Sequence, residues 1–132
     1  MKSRGDLAQG WLEKARRDLI TAERELERLP TFTDIVCFHC QQAVEKGLKA
    51  LLIVHGITPP KTHALEDLAL LVSQAEPEAE SFARELAALT PYAVTARHPE
   101  FSEPTKEEAQ SAIDIARRVL SWIQRRAGVV ES

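Results

Sequence analysis

The sequence predicts an all-α fold, an up-and-down antiparallel bundle of about five helices, three long and two short. Three observations carry this. Apolar residues recur at three- and four-residue steps over long segments, with no alternating strand pattern between them. Leu, Ala, Glu, Arg and Lys dominate a chain with only 5 glycines. Prolines and helix-start signals divide the helical segments at short intervals.

The first helix is read over residues 6–28. Leu7, Trp11, Ala15, Leu19, Ala22, Leu26 and Leu29 form its apolar stripe, Asp6 is its candidate N-cap, and Pro30 stops it. The second follows Thr33 or Asp34 as cap, runs to about Val54, and ends at His55-Gly56, with glycine where left-handed dihedrals are needed. Two consecutive prolines stiffen the connection through Pro59-Pro60. A third helix starts near His63, capped by Thr62 or by His63 with Glu66 three positions on. Glu76-Pro77 opens a fourth, which ends before Pro91. Tyr92 to Pro104 is the longest irregular stretch. Thr105 and Glu108 make a capping box for the fifth helix, whose stripe is Ala109, Ala112, Ile113, Ala116, Val119, Leu120 and Ile123, with Gly128 just past its end.

The second helix organises the rest. Val36, Cys40, Ala43, Val44, Gly47 and Leu51 share one side, flanked by Cys37 and Leu48. His39, Gln42, Lys46 and Lys49 form a narrow stripe on the other side, with no carboxylate inside it. Phe38 and Leu52 lie between, beside Gln41 and Glu45. A helix that is apolar over most of its circumference is enclosed by neighbours or by a partner subunit. The polar stripe is a solvated face or an anion site.

The 132 residues are read as one domain, 1–132, able to bury a core without a staple. Apolar content of 44% and charged content of 28% fit a soluble globular chain. A net charge of −3 argues against wholesale wrapping of nucleic acid and leaves room for a local basic groove. With no signal-like segment and no membrane-length apolar run, the expectation is a cytoplasmic protein without membrane contact. Cys37 and Cys40 form a C-x-x-C, but no strand precedes it and zinc would need two more ligands. They are read as buried apolar thiols, and no metal site is expected.

No phosphate loop, zinc-protease helix or nucleophile elbow occurs. The candidates for chemistry are single groups that a bundle could gather: Lys46 and Lys49, His63 at the start of the third helix, and Arg97-His98 in the long loop. His63, on a first turn, would have free backbone N–H groups beside it for an anion. Asp18 lies at the edge of the first helix's stripe, as a surface salt bridge or as the orienter of a basic residue.

The stretch Phe38-His-Cys-Gln-Gln-Ala-Val-Glu-Lys-Gly-Leu-Lys-Ala-Leu-Leu52, with Gly56, Pro60-Lys-Thr-His63 and Leu65, resembles the HEPN family of helical domains. Trp11, Ala15, Asp18-Leu19 and Ala22 look like that family's first helix. Arg97-His98-Pro99 looks like its Arg-Tyr-Pro element with histidine in place of tyrosine. The resemblance implies a bundle of about five helices, often dimeric, that holds a nucleotide or acceptor substrate for a separate minimal nucleotidyltransferase, in some cases as a toxin–antitoxin pair. Carried over by position, it points to Gln42, Lys46, Lys49, His63 and Arg97 as nucleotide- or anion-binding residues, with His39, His98 and Asp18 as further candidates and none catalytic. ATP or another nucleotide enters as a ligand, not as a resident cofactor. A ribonuclease branch uses an arginine followed by histidine after four to six residues. None of His39, His55, His63 and His98 has that spacing here, since Arg97 adjoins His98. The chain is therefore expected not to be an enzyme. A metal-independent ribonuclease toxin with RNA as its substrate is the catalytic alternative, through His98 and a second arginine across a dimer, and an antitoxin or scaffold is the third reading. Phe38, Leu52 and Ile53 give the second helix surplus apolar surface, so a homodimer or higher oligomer is expected.

Overall fold

A computed structural model describes residues 2–131, with side chains through residue 128. Among these residues the helices are α1 (Arg4–Leu26), α2 (Thr33–Val54), α3 (Leu65–Val72), α4 (Ala83–Ala87), α5 (Tyr92–Thr95) and α6 (Lys106–Glu131), with a 3-10 segment at Pro77–Phe82 before α4. The bundle is all-α and up-and-down, as the periodicity predicts. α1, α2 and α6 are its long members.

α2 is the spine. Its apolar side, with Val36, Cys40, Val44, Leu48 and Leu51, is buried against α1 and α6. Gly47 sits tightly against α6. A Cβ there would lie 3.0 Å from Leu120 Cδ1 and 3.1 Å from Ile123 Cδ1. The Thr33 hydroxyl donates to the Pro104 carbonyl at 2.7 Å, fixing the start of α2 beside the start of α6. Those two contacts make α2 and α6 run in the same direction, and α3 through α5 supply the short return leg. The predicted stripe of α6 is buried throughout, from Ala109 to Ile123.

Helix ends differ from expectation in physically simple ways. Ser3, not Asp6, caps α1. The Asp6 N–H donates to Ser3 Oγ at 3.0 Å and the Ser3 N–H donates to Asp6 Oδ2 at 3.2 Å, so Asp6 is the third-position half of a capping box. α2 has no side-chain cap, since its N-cap is Phe32, which carries no acceptor; Thr33, a predicted cap, is the first helical residue and gives its hydroxyl to Pro104. α2 does end at Gly56, whose φ of +76° places it in the left-handed region. α3 begins at Leu65, two residues later than predicted, and α6 runs through Gly128 to Glu131. The predicted fourth helix is a 3-10 turn followed by one α-helical turn, and the long loop contains α5. Thr105 and Glu108 form the predicted capping box, with both bonds at 2.9–3.0 Å.

Leu52 and Ile53 are buried within this chain at 1% and 7% exposure. The surplus apolar surface expected on α2 therefore reduces to half-buried Phe38, which packs edge-on to His39. None of the described helices is long and apolar enough to cross a membrane.

Candidate functional site: a polar seam on α2 and a cationic groove beside it

The α2 stripe lies along the α1 side of the spine, and carboxylates from outside it reach in. Asp18 of α1 is nearly buried. It accepts from Lys46 Nζ at 2.6 Å on Oδ2 and from His39 Nδ1 at 2.8 Å on Oδ1. Burial alone pushes the Asp18 carboxyl up, but the bonds from His39 and Lys46 and their charge outweigh it, and it titrates below its ordinary value. Asp18 is thus a cross-helix clamp on Lys46 and His39 of α2.

Glu45 acts likewise farther along the seam. It is buried, with Oε2 accepting from Lys49 Nζ at 3.0 Å and Oε1 accepting from His63 Nδ1 at 2.8 Å. Gln41, fully buried, donates to Glu45 Oε1 at 3.2 Å and to the His63 carbonyl at 3.0 Å. Gln42 donates to Gln41 Oε1 at 2.7 Å. Burial pushes the Glu45 carboxyl up, while the bonds from His63, Lys49 and Gln41 bring it below its usual range. A third buried carboxylate, Glu76, takes His55 Nε2 at 2.9 Å and Arg126 Nε at 2.8 Å. Each of these three carboxylates is bracketed by one imidazole and one cation.

Lys49 and His63 therefore meet at Glu45, and Lys46 and His39 meet at Asp18. The stripe itself holds no carboxylate, but acids from outside it engage both of its lysines. The lysines are matched by acids that helical sorting placed on other faces or another helix. Arg97 stands apart. Its guanidinium donates to the Ala93 carbonyl at 3.1 Å and lines a hollow of about 350 Å³ with His98 and Asp34. Asp34 is on the first turn of α2, about four turns and on the order of 22 Å from Lys49. His98 is half exposed beside Glu100. The amide groups expected to serve an anion near His63 are occupied: Ala64 N–H donates to Thr62 Oγ1 at 3.1 Å, and Leu65 N–H donates to Thr90 Oγ1 at 3.0 Å.

The more open cationic feature is one that sequence reading missed. A cleft of about 620 Å³ lies between the start of α1, the end of α2 and the 56–61 loop. Lys2, Arg4, Lys49 and Lys61 line it, with Trp11 and Ile53 among its apolar walls and no carboxylate in the lining. Lys49 Nζ lies 6.0 Å from the Trp11 ring centre. Arg4 lies over Gly56, where a Cβ would meet its Nη1 at 2.5 Å, so glycine both ends α2 and makes room for the guanidinium. The sequence signal that could have found this cleft is the set of basic residues on both sides of the Gly56-to-Pro60 turn and at the start of α1, around a tryptophan on the α2-facing stripe.

Cys37 and Cys40 are buried and free. Burial pushes the Cys37 thiol up to about 11 and the Cys40 thiol higher still. No group of three His, Cys, Asp or Glu side chains among the described residues is placed to hold a metal ion.

Comparison with known proteins agrees with this architecture. The family model of the HEPN domain matches residues 8–126, and the chain belongs to the HEPN family. Among solved structures, it is similar to TT1696 from Thermus thermophilus, at 27% identity and a TM-score of 0.78, over 90% of this chain and 97% of that one. It is also similar to ST0689, described as an archaeal HEPN homologue, at 25% identity and a TM-score of 0.72, over 96% of this chain and 99% of that one. No curated protein matches it.

Proposed function

We propose that this HEPN domain is a non-catalytic binding module that holds a nucleotide for a separate minimal nucleotidyltransferase subunit. The observation that carries the reading is the Trp11 cleft. In a chain of net charge −3, four cations converge on one apolar-walled hollow with no acid in its lining. An aromatic wall with cations at the rim suits a base and its phosphates. Lys49 joins this cleft to the α2 seam, and Glu45 and Asp18 hold the two lysines in place before a ligand arrives. Of the carried-over residues, Lys49 is the direct contact. Lys46, Gln42, His63, His39 and Asp18 shape the seam behind it. Arg97 and His98 belong to the other hollow.

The test is ligand-linked stability. ATP or GTP at millimolar concentration raises the thermal midpoint, because a ligand that binds only the native state stabilises it. No shift with either nucleotide, with or without Mg²⁺, ends the reading. The partner arm is co-expression with a small nucleotidyltransferase from the same source, where a stable complex on gel filtration is the expected result. A homodimer belongs to the same proposal, and light scattering that finds only monomer at high concentration removes it.

A ribonuclease reading rests on a different observation, the shared hollow of Arg97 and His98. Incubation of the purified protein with total RNA, against Arg97→Ala, decides it. Intact RNA retires it.

A further inference from the structure

We propose that the groove around Trp11 takes a single-stranded nucleic acid segment that passes over the indole, rather than only a mononucleotide seated on one side of it. This rests on the reading that the face receives a phosphate-bearing ligand, and it names the ligand's class.

The argument is where the cations stand. Trp11, Leu7 and Lys2 line the 620 Å³ cleft, and the same three residues line a second hollow of about 450 Å³. That second hollow also carries Lys14 and Lys46, and Gly10 leaves it open, since a Cβ there would meet nothing. Lys46 and Lys49 are matched by Asp18 and Glu45, so they add position but little net charge. Lys2, Arg4, Lys14 and Lys61 have no ion-pair partner among the described residues. Arg4 and Lys61 belong to one hollow, Lys14 to the other, and Lys2 to both. The one carboxylate in either lining is Asp6, which is engaged in the Ser3 capping box.

Unmatched cations thus line both hollows that meet at the half-buried Trp11. Arg4 and Lys14 are separated by about 15 Å along α1 at the helical rise per residue. A mononucleotide carries phosphate on one side of its base only. A strand carries a phosphate into and out of each nucleotide. Base stacking on an aromatic between backbone-tracking cations is the general solution for single strands, and it needs no base-edge hydrogen bonds. A duplex hides its base faces and leaves the indole without a partner. Leu7, 48% exposed beside Trp11, widens the apolar platform for a neighbouring base.

The experiment uses intrinsic fluorescence and a labelled 12-residue oligouridine, with ATP and a 12-base-pair duplex as comparisons. The chain has 2 tryptophans. Trp122 is buried with its indole N–H donated to Glu78 at 2.8 Å, so quenching by ligand reports Trp11. The expected result is quenching by the oligonucleotide, with affinity at least tenfold above ATP and above the duplex. The slope of log K against log salt should be about −3, from four unmatched cations. Trp11→Ala should weaken oligonucleotide binding on the order of tenfold or more. Lys14→Gln, at an exposed position, should weaken the oligonucleotide severalfold and leave ATP unchanged. If Trp11→Ala fails to fold, Trp11→Phe and Lys14→Gln carry the test. Equal binding of oligonucleotide by wild type and Lys14→Gln, or an affinity no better than that of ATP, overturns the proposal. ATP binding without oligonucleotide binding removes this inference and leaves the nucleotide reading standing. Oligonucleotide binding without ATP binding does the reverse.

Discussion

Lys46 Nζ and Asp18 Oδ2 stand 2.6 Å apart across the α1–α2 interface, though the two residues are 28 positions apart in sequence. The same carboxylate takes His39 on its other oxygen. That pairing ties two helices at mid-length and neutralises a lysine that would otherwise face solvent. A nearly buried carboxylate with two partners is costly to disturb, because removing it strands both donors. Asp18→Ala should therefore lower stability by about 1–3 kcal/mol in urea titration. Asp18→Asn should cost less, since its amide oxygen still accepts one bond.

The same groups set the acid limb of stability. Asp18 and Glu45 titrate below their ordinary values in the folded chain. The unfolded chain therefore binds more protons as pH falls through the usual carboxylate range. The stability they contribute is complete above about pH 5 and is lost as pH drops below about 4 toward their folded values. Urea midpoints at pH 6 and pH 3 should fall steeply for the native chain. The drop should be smaller in the double variant Asp18→Asn, Glu45→Gln, which starts lower and has less to lose. An equal drop would assign the acid limb to other carboxylates.

Gly47 packs α2 tightly on α6, against Leu120 and Ile123. A β-branched side chain cannot be accommodated there by a few tenths of an ångström of movement. Gly47→Val should destabilise by about 2–3 kcal/mol through overpacking, despite glycine's poor helix propensity. Gly10→Ala, at an open position on α1, should stabilise by up to about 1 kcal/mol. Thermal midpoints moving in opposite directions would verify the packing.

Cys37 and Cys40 are protected by burial, and their thiols remain protonated at neutral pH. A thiol reagent at pH 8 should label neither in the native state and both in denaturant. Rapid native labelling would contradict the placement of this face in the core.

Much of the fold was legible because its signals are local or periodic. The Thr105–Glu108 box spans four residues, and the α6 stripe repeats along one element, so neither depends on the rest of the chain. The α3–α5 region was legible only in outline, because short turns are set by what they pack on. Phe82 seats against Trp122 with ring centres 5.2 Å apart, a contact between segments distant in sequence. The polar stripe of α2 was also readable, but its charge balance was not. Asp18 sits on another helix, and Glu45 lies off the stripe on its own helix, so only tertiary register shows which lysine each one meets. The Trp11 groove was hidden for the same reason. Arg4, Lys61 and Lys49 come from three separate segments that the turn at Gly56 brings together.

The proposed function stands or falls on the Trp11 cleft, not the Arg97 hollow, receiving the phosphate-bearing ligand. It is decided by calorimetric titration of ATP into the native chain, the charge-reversed Arg4→Glu, Lys61→Glu double variant, and Arg97→Glu, each first shown to be folded by circular dichroism. The double variant should lose binding at least tenfold while Arg97→Glu binds as the native chain does. Binding unchanged in the double variant and lost in Arg97→Glu would move the ligand to the other hollow and refute the assignment.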